Sequence, residues 1–435
     1  MKKILLLTLA IASLPSMGQQ ALTLQQCIEL ATTNNVQVKL AENAKNQQKV
    51  ALSTAKNARL PQISAYASQS FNFGRGLTAE NTYVSRNTAS TSWGASANLP
   101  LFTGGAIPQQ RKQAELDLSA ATADVERLKE DLGIQVAQAY LQVLYQEDII
   151  KQAEAQLQLS RQQETRIQKL LEVEKASGVD VAEATSRTAQ DELTLTEAKA
   201  NHKMSLLTLS QLIEWESPEG LMVIHPDTLP PLPPSESPQE IFNASVNGRP
   251  AIIAAQHRIE SAERAIRIAK SAYMPTLSLS AGIGSSFYKT KGFEAQSFAR
   301  QMRDNFSTNV GLSLNIPIFN RFSTRNSVRR AQLAHQGQVW QMDETRKTLY
   351  KEIQQAWYNA TTAHQKFISS QEAEKAAHEA FLLMEKKFEN GKANATEYNE
   401  ARTRKFTAAT QRLSAFYDYL FRIKILDFYK GYSLK

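Results

Sequence analysis

The chain of 435 residues contains one cysteine, Cys27, which excludes an internal disulfide. Glycine and proline are also scarce, at 17 and 14 residues, and they gather in a few places. The stretches between them are rich in Ala, Gln, Leu, Glu and Lys, a composition that favours long helices. Cys27 follows Leu24-Gln25-Gln26, which lacks the small residue that a lipoprotein signal places before its cysteine. We therefore expect Cys27 to be a buried helix residue rather than a lipid anchor.

Long hydrophobic runs are missing as well. The apolar run Ile4–Leu14 is shorter than the ~20 residues that a spanning helix needs. Lys2 and Lys3 precede it, and Ser16-Met17-Gly18 places small residues at a cleavage-site spacing. This pattern predicts a signal peptide over residues 1–18, cleaved after Gly18, and an exported mature chain.

Charge of one sign is not concentrated anywhere in the sequence. The formal net charge of +8 falls to +6 once Lys2 and Lys3 leave with the signal peptide, and the remaining charges alternate in sign. Solvated helical faces explain this alternation better than a nucleic-acid surface, because no basic run interleaved with aromatic residues occurs. We expect no nucleic-acid partner.

Patterns typical of catalysis are also lacking. The six histidines are scattered without metal-ligand spacing. No glycine-rich phosphate loop precedes a predicted helix, and no serine lies in a nucleophile-elbow setting. The sequence therefore does not support an enzyme, and it predicts no catalytic residue, no metal site and no cofactor.

The chain is duplicated, because its second half echoes its first. The matching segments are 55–64 with 269–278, 98–102 with 315–319, and 138–140 with 355–357. The offset grows from 214 (55 to 269) to 217 (98 to 315), a difference that a loop can absorb. We expect a first repeat over 19–224 and a second over 240–435, each with a helix, a strand pair and a long helical pair.

Between the repeats we predict an extended linker over residues 225–239. Prolines exclude a helix there and favour an extended chain. They are Pro226, Pro230, Pro231, Pro233, Pro234 and Pro238.

Two segments, 61–101 and 275–319, read as β-hairpins with alternating apolar and small polar residues. Each strand is long enough for the ~9 to 11 residues that a tilted strand needs to cross a bilayer. A half-buried sheet in a soluble domain would explain one such hairpin, but two copies flanked by long helices favour strands between lipid and water. Four strands cannot close a barrel, so several chains must share one. Two chains would supply eight strands and three would supply twelve.

The segments 105–213 and 323–430 read as long helical pairs. In the first, apolar residues recur at the three-four spacing of a coiled-coil seam. They are Leu118, Ala121, Val125, Leu128, Leu132, Val136, Ala139 and Val143. A helix of roughly 65 residues would be about 100 Å long. Such a helix buries its apolar stripe only against partners of similar length, so we expect antiparallel pairs that fold back at a turn.

In this ordered set of features the chain resembles the outer-membrane efflux protein family of TolC-like channels, from Leu22 to about Leu420. The resemblance implies an α+β membrane protein that forms a homotrimer. Its shared transmembrane β-barrel would take four strands from each chain, twelve per trimer, and a long α-helical coiled-coil tunnel would continue it across the periplasm.

The resemblance also implies functional residues. Prolines match the positions where this family turns from strand to helix: Pro61, Pro100, Pro275 and Pro317. Gly391 matches the second tip turn, and acidic residues match the family's periplasmic constriction: Glu397, Glu400, Asp180 and Glu183. Carboxylates gathered around a threefold axis would attract cations. The alternative is that these four are ordinary surface acids of charged helices.

At the tips the sequence departs from the family pattern. Phe388 and Ala393 stand where residues of the family's closing hydrogen-bond latch would be, and Glu174 replaces the glycine of the first turn. The way in which these tips are held shut is therefore left open by the resemblance.

The function that follows is an outer-membrane exit duct of a tripartite efflux or type I secretion system in a Gram-negative bacterium. The duct would conduct passively and extend into the periplasm, and its partners would be a periplasmic adaptor (membrane fusion) protein, an inner-membrane pump and outer-membrane lipid. The alternative from another class is a secreted structural or adhesive coiled-coil protein without a channel. Only the duct explains two alternating hairpins at the same place in each half.

Overall fold

A computed structural model describes residues 21–77, 81–85, 87–225 and 232–432. The predicted signal peptide (1–18) lies outside the described residues, as do Pro226, Pro230 and Pro231 of the predicted linker. Among the described residues, no helix combines the length and the apolar character needed to cross a membrane.

Helices make up most of the described chain. The first repeat contains α1 (Leu24–Asn34), α2 (Val36–Asn57), α3 (Ala106–Glu172) and α4 (Gly178–Leu212). The second contains α5 (Pro238–Ser245), α6 (Pro250–Ser271), α7 (Phe298–Asp304), α8 (Ser323–Glu389) and α9 (Ala395–Tyr429). α3 and α8 are each 67 residues long, and α4 and α9 are each 35. The two halves therefore have helical pairs of equal length where the sequence predicts pairs over 105–213 and 323–430.

The strands form one main sheet and two small ladders. The strands are β1 (Ala21–Leu22), β2 (Gln62–Asn72), β3 (Arg75–Leu77), β4 (Tyr83–Ser85), β5 (Thr88–Thr103), β6 (Met222–Val223), β7 (Thr276–Thr290) and β8 (Ser307–Asn315). The main sheet has the antiparallel order β2-β5-β7-β8, so the hairpins of the two halves pair with each other through β5 and β7. β3 pairs with β4, and β1 pairs in parallel with β6.

By internal contacts the chain divides into two compact units that cut across the two repeats. Unit 1 takes the described residues up to Ala41, then Val125–Arg249 and those from Arg346 onward. Unit 2 takes Glu42–Asp124 and Pro250–Thr345. Each unit thus draws elements from both halves, because helices and strands of one half pack or pair with those of the other.

The core of unit 1 joins the start of the chain to the long helices. Cys27 of α1 is fully buried among Leu144 of α3 and Leu209 of α4, which confirms the prediction of a buried helix residue. Burial raises the pKa of its thiol to about 12. The Tyr140 hydroxyl lies beside the β1–β6 ladder and bonds to the carbonyl oxygen of Ile224 at 2.7 Å.

Unit 2 is built around the main sheet, whose two faces differ along every strand. One face, the apolar face, carries Ile63, Ala65, Ala95, Ala97, Leu99, Leu279, Ala281, Ile283, Val310 and Leu312. The other, the polar face, carries Ser64, Ser68, Ser92, Ser96, Asn98, Ser280, Gly282, Asn309 and Gly311. Hydroxyl pairs cross the polar face, between Ser64 and Ser96 at 3.1 Å and between Ser68 and Ser92 at 2.8 Å.

α7 covers the part of β7 that extends past β8, whose pairing with β7 ends at Gly284. The Gln301 side chain accepts a hydrogen bond from the Tyr288 N–H at 3.0 Å and donates one to the Tyr288 carbonyl at 3.1 Å. The Asn305 amide donates to the Ser286 carbonyl at 2.7 Å. Side-chain amides therefore take the place of a neighbouring strand along this edge.

The predicted linker ends earlier than expected. Pro238 and Gln239 form the first turn of α5, so the prediction that Pro238 excludes a helix is wrong. Proline is accepted at the first helical position, where its missing N–H would have no partner within the helix. The Ser237 hydroxyl and the Glu240 carboxylate complete a capping box at this end.

Candidate functional site

The first tip turn, residues 173–177, joins α3 to α4. Lys175 N–H donates to the Leu170 carbonyl at 2.7 Å, and Glu174 N–H donates to the Leu171 carbonyl at 2.9 Å. These two bonds are the Schellman pattern of a helix C-terminus. Glu174 has a φ of +56°, in the left-handed region that costs a residue with a Cβ atom about 1 kcal/mol.

The second tip turn, residues 390–394, joins α8 to α9 in the same way. Lys392 N–H donates to the Lys387 carbonyl at 2.8 Å, and Gly391 N–H donates to the Phe388 carbonyl at 3.1 Å. Gly391 has a φ of +68°, which glycine adopts without a steric penalty. Gly391 therefore lies in the turn where the family resemblance puts it, and Glu174 occupies the same conformation in the first half.

Two of the four predicted constriction acids lie in the first turns of the helices that follow the tip turns. The Asp180 carboxylate accepts a hydrogen bond from the Ser177 N–H at 2.8 Å, and the Glu397 carboxylate accepts one from the Asn394 N–H at 3.0 Å. The Ser177 and Asn394 side chains accept bonds from Asp180 N–H and Glu397 N–H in return. These are capping boxes, which hold the first turns of α4 and α9.

The hydrogen bonds at the first cap set the ionisation of Asp180. The backbone N–H of Ser177, followed by its hydroxyl, lowers the pKa of the Asp180 carboxyl because both bonds favour the charged form. Asp180 therefore brings a negative charge to the tip.

The other two predicted acids lie one turn further along. The Glu400 carboxylate accepts a hydrogen bond from Arg404 at 2.9 Å, with both side chains exposed. Glu183 is exposed on α4 and faces the pocket described below. In the single chain the four acids thus act in two caps, one surface ion pair and one pocket wall, and their gathering at a constriction stays a prediction.

A buried ion pair joins the two halves near the tips. Arg402 of α9 lies 2.7 Å from the carboxylate of Asp191 on α4, and both side chains are about 1% exposed. Gln156 of α3 donates to the same carboxylate at 2.6 Å, and the Ser160 hydroxyl bonds to it as well. The Arg187 guanidinium lies 3.6 Å away. Breaking such a pair by removing one partner typically costs about 3–5 kcal/mol.

This cluster holds more positive than negative charge. Two guanidiniums, of Arg187 and Arg402, surround one carboxylate, and the Nε atoms of both arginines are buried without a hydrogen-bond partner among the described residues. Burial lowers the pKa of Arg402, but a guanidinium keeps its proton in proteins.

Aromatic packing supports the same region. Phe388 stacks on Tyr398 with ring centroids 4.7 Å apart, and the Tyr398 hydroxyl accepts a hydrogen bond from Gln163 at 3.2 Å. The Arg166 guanidinium lies 5.9 Å from the centre of the Phe388 ring. Where the family's latch would have a hydrogen-bonding residue, this chain therefore has a packing contact between α8 and α9.

A pocket of about 410 Å³ lies among these groups, and we call it the tip pocket. Both tip turns and all four long helices contribute to its wall. Its apolar lining includes Ile167, Leu170, Ala176, Ala184 and Phe388, and its charged lining is Arg166, Lys175, Asp180, Glu183, Arg187 and Arg402.

Three of the four predicted joint prolines lie between a helix and a strand. Pro61 follows α2 and precedes β2, Pro275 follows α6 and precedes β7, and Pro317 lies between β8 and α8. Proline suits such a joint because it fixes φ and donates no hydrogen bond.

Pro100 does not lie at a joint, so that prediction is wrong. β5 continues through it to Thr103, with a register shift between Pro100 and Phe102. The strand tolerates this proline because its pairing with β2 ends at Asn98, which leaves one side without a ladder, and because bulges accommodate proline.

The chain turns from strand to long helix at two pairs of residues whose backbones are in the left-handed region. Gly104 and Gly105, with φ of +63° and +82°, connect β5 to α3. Arg321 and Phe322, with φ of +54° and +62°, occupy the equivalent place before α8. A Cβ atom on Gly104 would lie 2.4 Å from the Ser271 carbonyl oxygen, so glycine is needed there for space as well.

Sequence reasoning missed Asp191 and Arg402. A signal was present for Asp191, because Thr188, Asp191 and Ala198 follow the seam spacing of α4 and are all buried. A charged residue at a seam position is expensive without a partner, so it predicts an oppositely charged residue on the facing helix.

The sequence model of one family, described as outer membrane efflux protein, matches residues 21–213 and 242–423. The chain belongs to the outer membrane efflux protein family. Family membership makes it an outer-membrane exit duct of a Gram-negative bacterium and decides against the secreted coiled-coil protein without a channel.

The relatives of this chain share little sequence identity with it, but they match most of its length. Outer membrane efflux protein BepC of Brucella suis is 23% identical over 346 residues, which are 78% of this chain and 70% of BepC. Outer membrane protein TolC of Escherichia coli is 22% identical over 429 residues, which are 97% of this chain and 84% of TolC.

Solved structures show the same fold. The CmeC outer membrane channel of Campylobacter jejuni superposes with a TM-score of 0.77 at 18% identity, covering 95% of this chain and 86% of CmeC. The outer membrane protein VceC of Vibrio cholerae gives 0.75 at 17% identity, covering 95% and 97%. These likenesses support the TolC-like fold of the chain.

Proposed function

We propose that three copies of this chain join their main sheets into one twelve-stranded transmembrane β-barrel. The observation that carries this proposal is the pair of unfinished edges. Within the described sheet, β2 and β8 each have a partner on one side only, and both strands are exposed almost throughout. Unpaired edges are not tolerated in lipid, so each β8 needs the β2 of another copy.

The two faces of the sheet support the same arrangement. The apolar face suits lipid outside the barrel, and the polar face suits water inside it. Val310 and Leu312 are 77% and 67% exposed in the single chain, a costly state in water that outer-membrane lipid would relieve.

The two tip turns form the periplasmic end of this duct. Glu397, Glu400, Asp180 and Glu183 follow them by one or two helical turns, and a threefold axis would bring copies of these carboxylates together. A ring of carboxylates at a narrow point attracts cations and repels anions.

The docking surface for the periplasmic adaptor is the groove beside the tip turns, over 170–181 and 388–398. Exposed apolar side chains support this assignment: Val173 is 59% exposed and Val179 is 73% exposed. The adaptor connects the duct to an inner-membrane pump, which supplies the energy of a tripartite efflux or type I secretion system. Opening requires that the adaptor bind the dilated tip more tightly than the closed one.

Cysteine cross-linking tests the shared barrel. Leu312→Cys on β8 is combined in turn with Ile63→Cys, Ala65→Cys and Ala67→Cys on β2, all on the apolar face. Cys27 is buried and does not compete. We expect oxidised membranes to yield covalent species up to three chains from at least one pair, with no product from single-cysteine variants. Products that stop at two chains, or no product from any pair, would contradict the trimer.

A further inference from the structure

The floor of the tip pocket offers hydrogen-bond donors that nothing in the described chain uses. Arg402 is about 1% exposed, it lines the pocket, and its Nε atom is buried without a partner. The Nε atom of Arg187, on the neighbouring helix, is also buried without a hydrogen-bond partner and lies 3.6 Å from the Asp191 carboxylate. A buried donor left unsatisfied is costly, so these groups favour a bound acceptor.

The charges around the pocket also favour an acceptor that is negative. Asp191 is shared by Arg187 and Arg402, so the floor carries an excess of one positive charge. Arg166, Lys175, Asp180 and Glu183 also line the pocket; Arg166 lies 3.9 Å from Glu389, and the Asp180 carboxylate is already held by Ser177.

We propose that the tip pocket binds a small organic anion. Its carboxylate or sulfonate group would meet Arg187 and Arg402, and its apolar body would lie against Ile167, Leu170 and Phe388. The pocket volume of about 410 Å³ falls in the range of small-molecule sites, which combine apolar walls with a few placed polar groups. Arg402 lies too deep for the surface of a folded partner, which favours a small molecule over an acidic protein segment.

Ligand-observed ¹⁹F NMR on the purified oligomer in lipid nanodiscs tests this site. The probes are 4-(trifluoromethyl)benzoate and its neutral counterpart 4-(trifluoromethyl)benzamide, which share an apolar body and differ in charge. We expect saturable binding of the benzoate and at least about tenfold weaker binding of the benzamide, because a charge-assisted hydrogen bond is lost.

Variants locate the binding. Arg187→Gln is expected to weaken benzoate binding about tenfold, whereas Glu183→Gln, which removes a competing carboxylate, is expected to strengthen it. Arg161→Gln is the matched control, because Arg161 is an exposed arginine of α3 outside the pocket that pairs with Glu192. The double variant Asp191→Leu with Arg402→Met removes both fully buried charges together, which leaves the net charge of the cluster unchanged, and is expected to abolish binding.

Equal binding of the two probes would overturn the proposal. Benzoate binding that is unchanged in both Arg187→Gln and the double variant would overturn it too, as would binding of an acidic peptide where the benzoate fails. Benzoate binding to protein that forms no pore would support the pocket and count against the duct, so the two proposals fail separately.

Discussion

At the scale of single residues, the duplication of the chain is visible in the positions where the backbone adopts a left-handed conformation. The tip turns use Glu174 in one half and Gly391 in the other, and the joints use Gly104-Gly105 and Arg321-Phe322. At each place one half has glycine and the other does not. The non-glycine copy therefore carries a conformational strain of about 1 kcal/mol per residue.

Substitutions at the two tip turns test this strain. Glu174→Gly should slow local opening of the first turn about fivefold, and Gly391→Ala should speed opening of the second by a similar factor. No atom lies within 4 Å of a Cβ built on Gly391, so the effect is conformational rather than steric. Hydrogen exchange at the Lys175 and Lys392 amides, which close the two turns, measures it.

Gly178→Ala is the control for this pair, because Gly178 is helical and a Cβ atom there also meets nothing. Alanine should stabilise that position, since it favours a helix more than glycine does. Unchanged exchange at Lys392 in Gly391→Ala would contradict the account.

Sequence reasoning located the tip residues but not their bonds. Gly391 and the four acids could be placed by resemblance, and the Ser177-to-Asp180 and Asn394-to-Glu397 spacings contain a visible capping pattern. The partner of Asp191 could not be read from the sequence, because Arg402 lies 211 residues away and only the packed helices bring the two together.

At the scale of elements, α7 has an uncommon role as a substitute strand. The Gln301 amide bonds to both the N–H and the carbonyl of Tyr288, as a backbone amide of a neighbouring strand would. This contact blunts the edge of β7 where β8 stops short, and a blunted edge resists pairing with foreign strands.

Variants of Gln301 test whether its side chain takes the place of a neighbouring strand. Gln301→Ala should speed exchange of the Tyr288 amide about three- to tenfold, because one hydrogen bond contributes about 0.5–1.5 kcal/mol. Gln301→Glu keeps the acceptor for that N–H and should preserve its protection, while Arg300→Ala on the exposed side of the same helix is the control. Equal exchange rates of the Tyr288 amide in Gln301→Ala and Gln301→Glu would show that the Gln301 side chain does not take the place of a neighbouring strand.

The long elements were predictable because their signals repeat many times. The seam spacing of α3 and the alternation of β7 and β8 each extend over several turns or pairs, so single exceptions do not hide them. Pro100 and Pro238 were misread because proline fits a bulge and a first helical turn as well as a break. α7 has only seven residues, too few to show a helical period.

At the scale of the whole molecule, the single chain has an incomplete sheet. One face is apolar and exposed, two edges are unpaired within the described sheet, and strands of both repeats are needed to build it. The number of copies does not follow from these features alone, because four strands per chain allow eight or twelve. The proposed barrel takes three copies, the number that the family resemblance implies.

Single-channel conductance in planar bilayers tests most directly that this chain is a duct with a constriction lined by acids at its tips. The variant is Glu397→Gln with Glu400→Gln, since glutamine can keep the capping box while removing the charge. Glu372→Gln with Glu379→Gln, two exposed acids of α8 away from the tip turns, is the control. We expect a small cation-selective conductance that loses its selectivity in the tip variant and keeps it in the control. A pore of unchanged selectivity would place the constriction elsewhere, and no conductance from the membrane-extracted oligomer would contradict the duct itself.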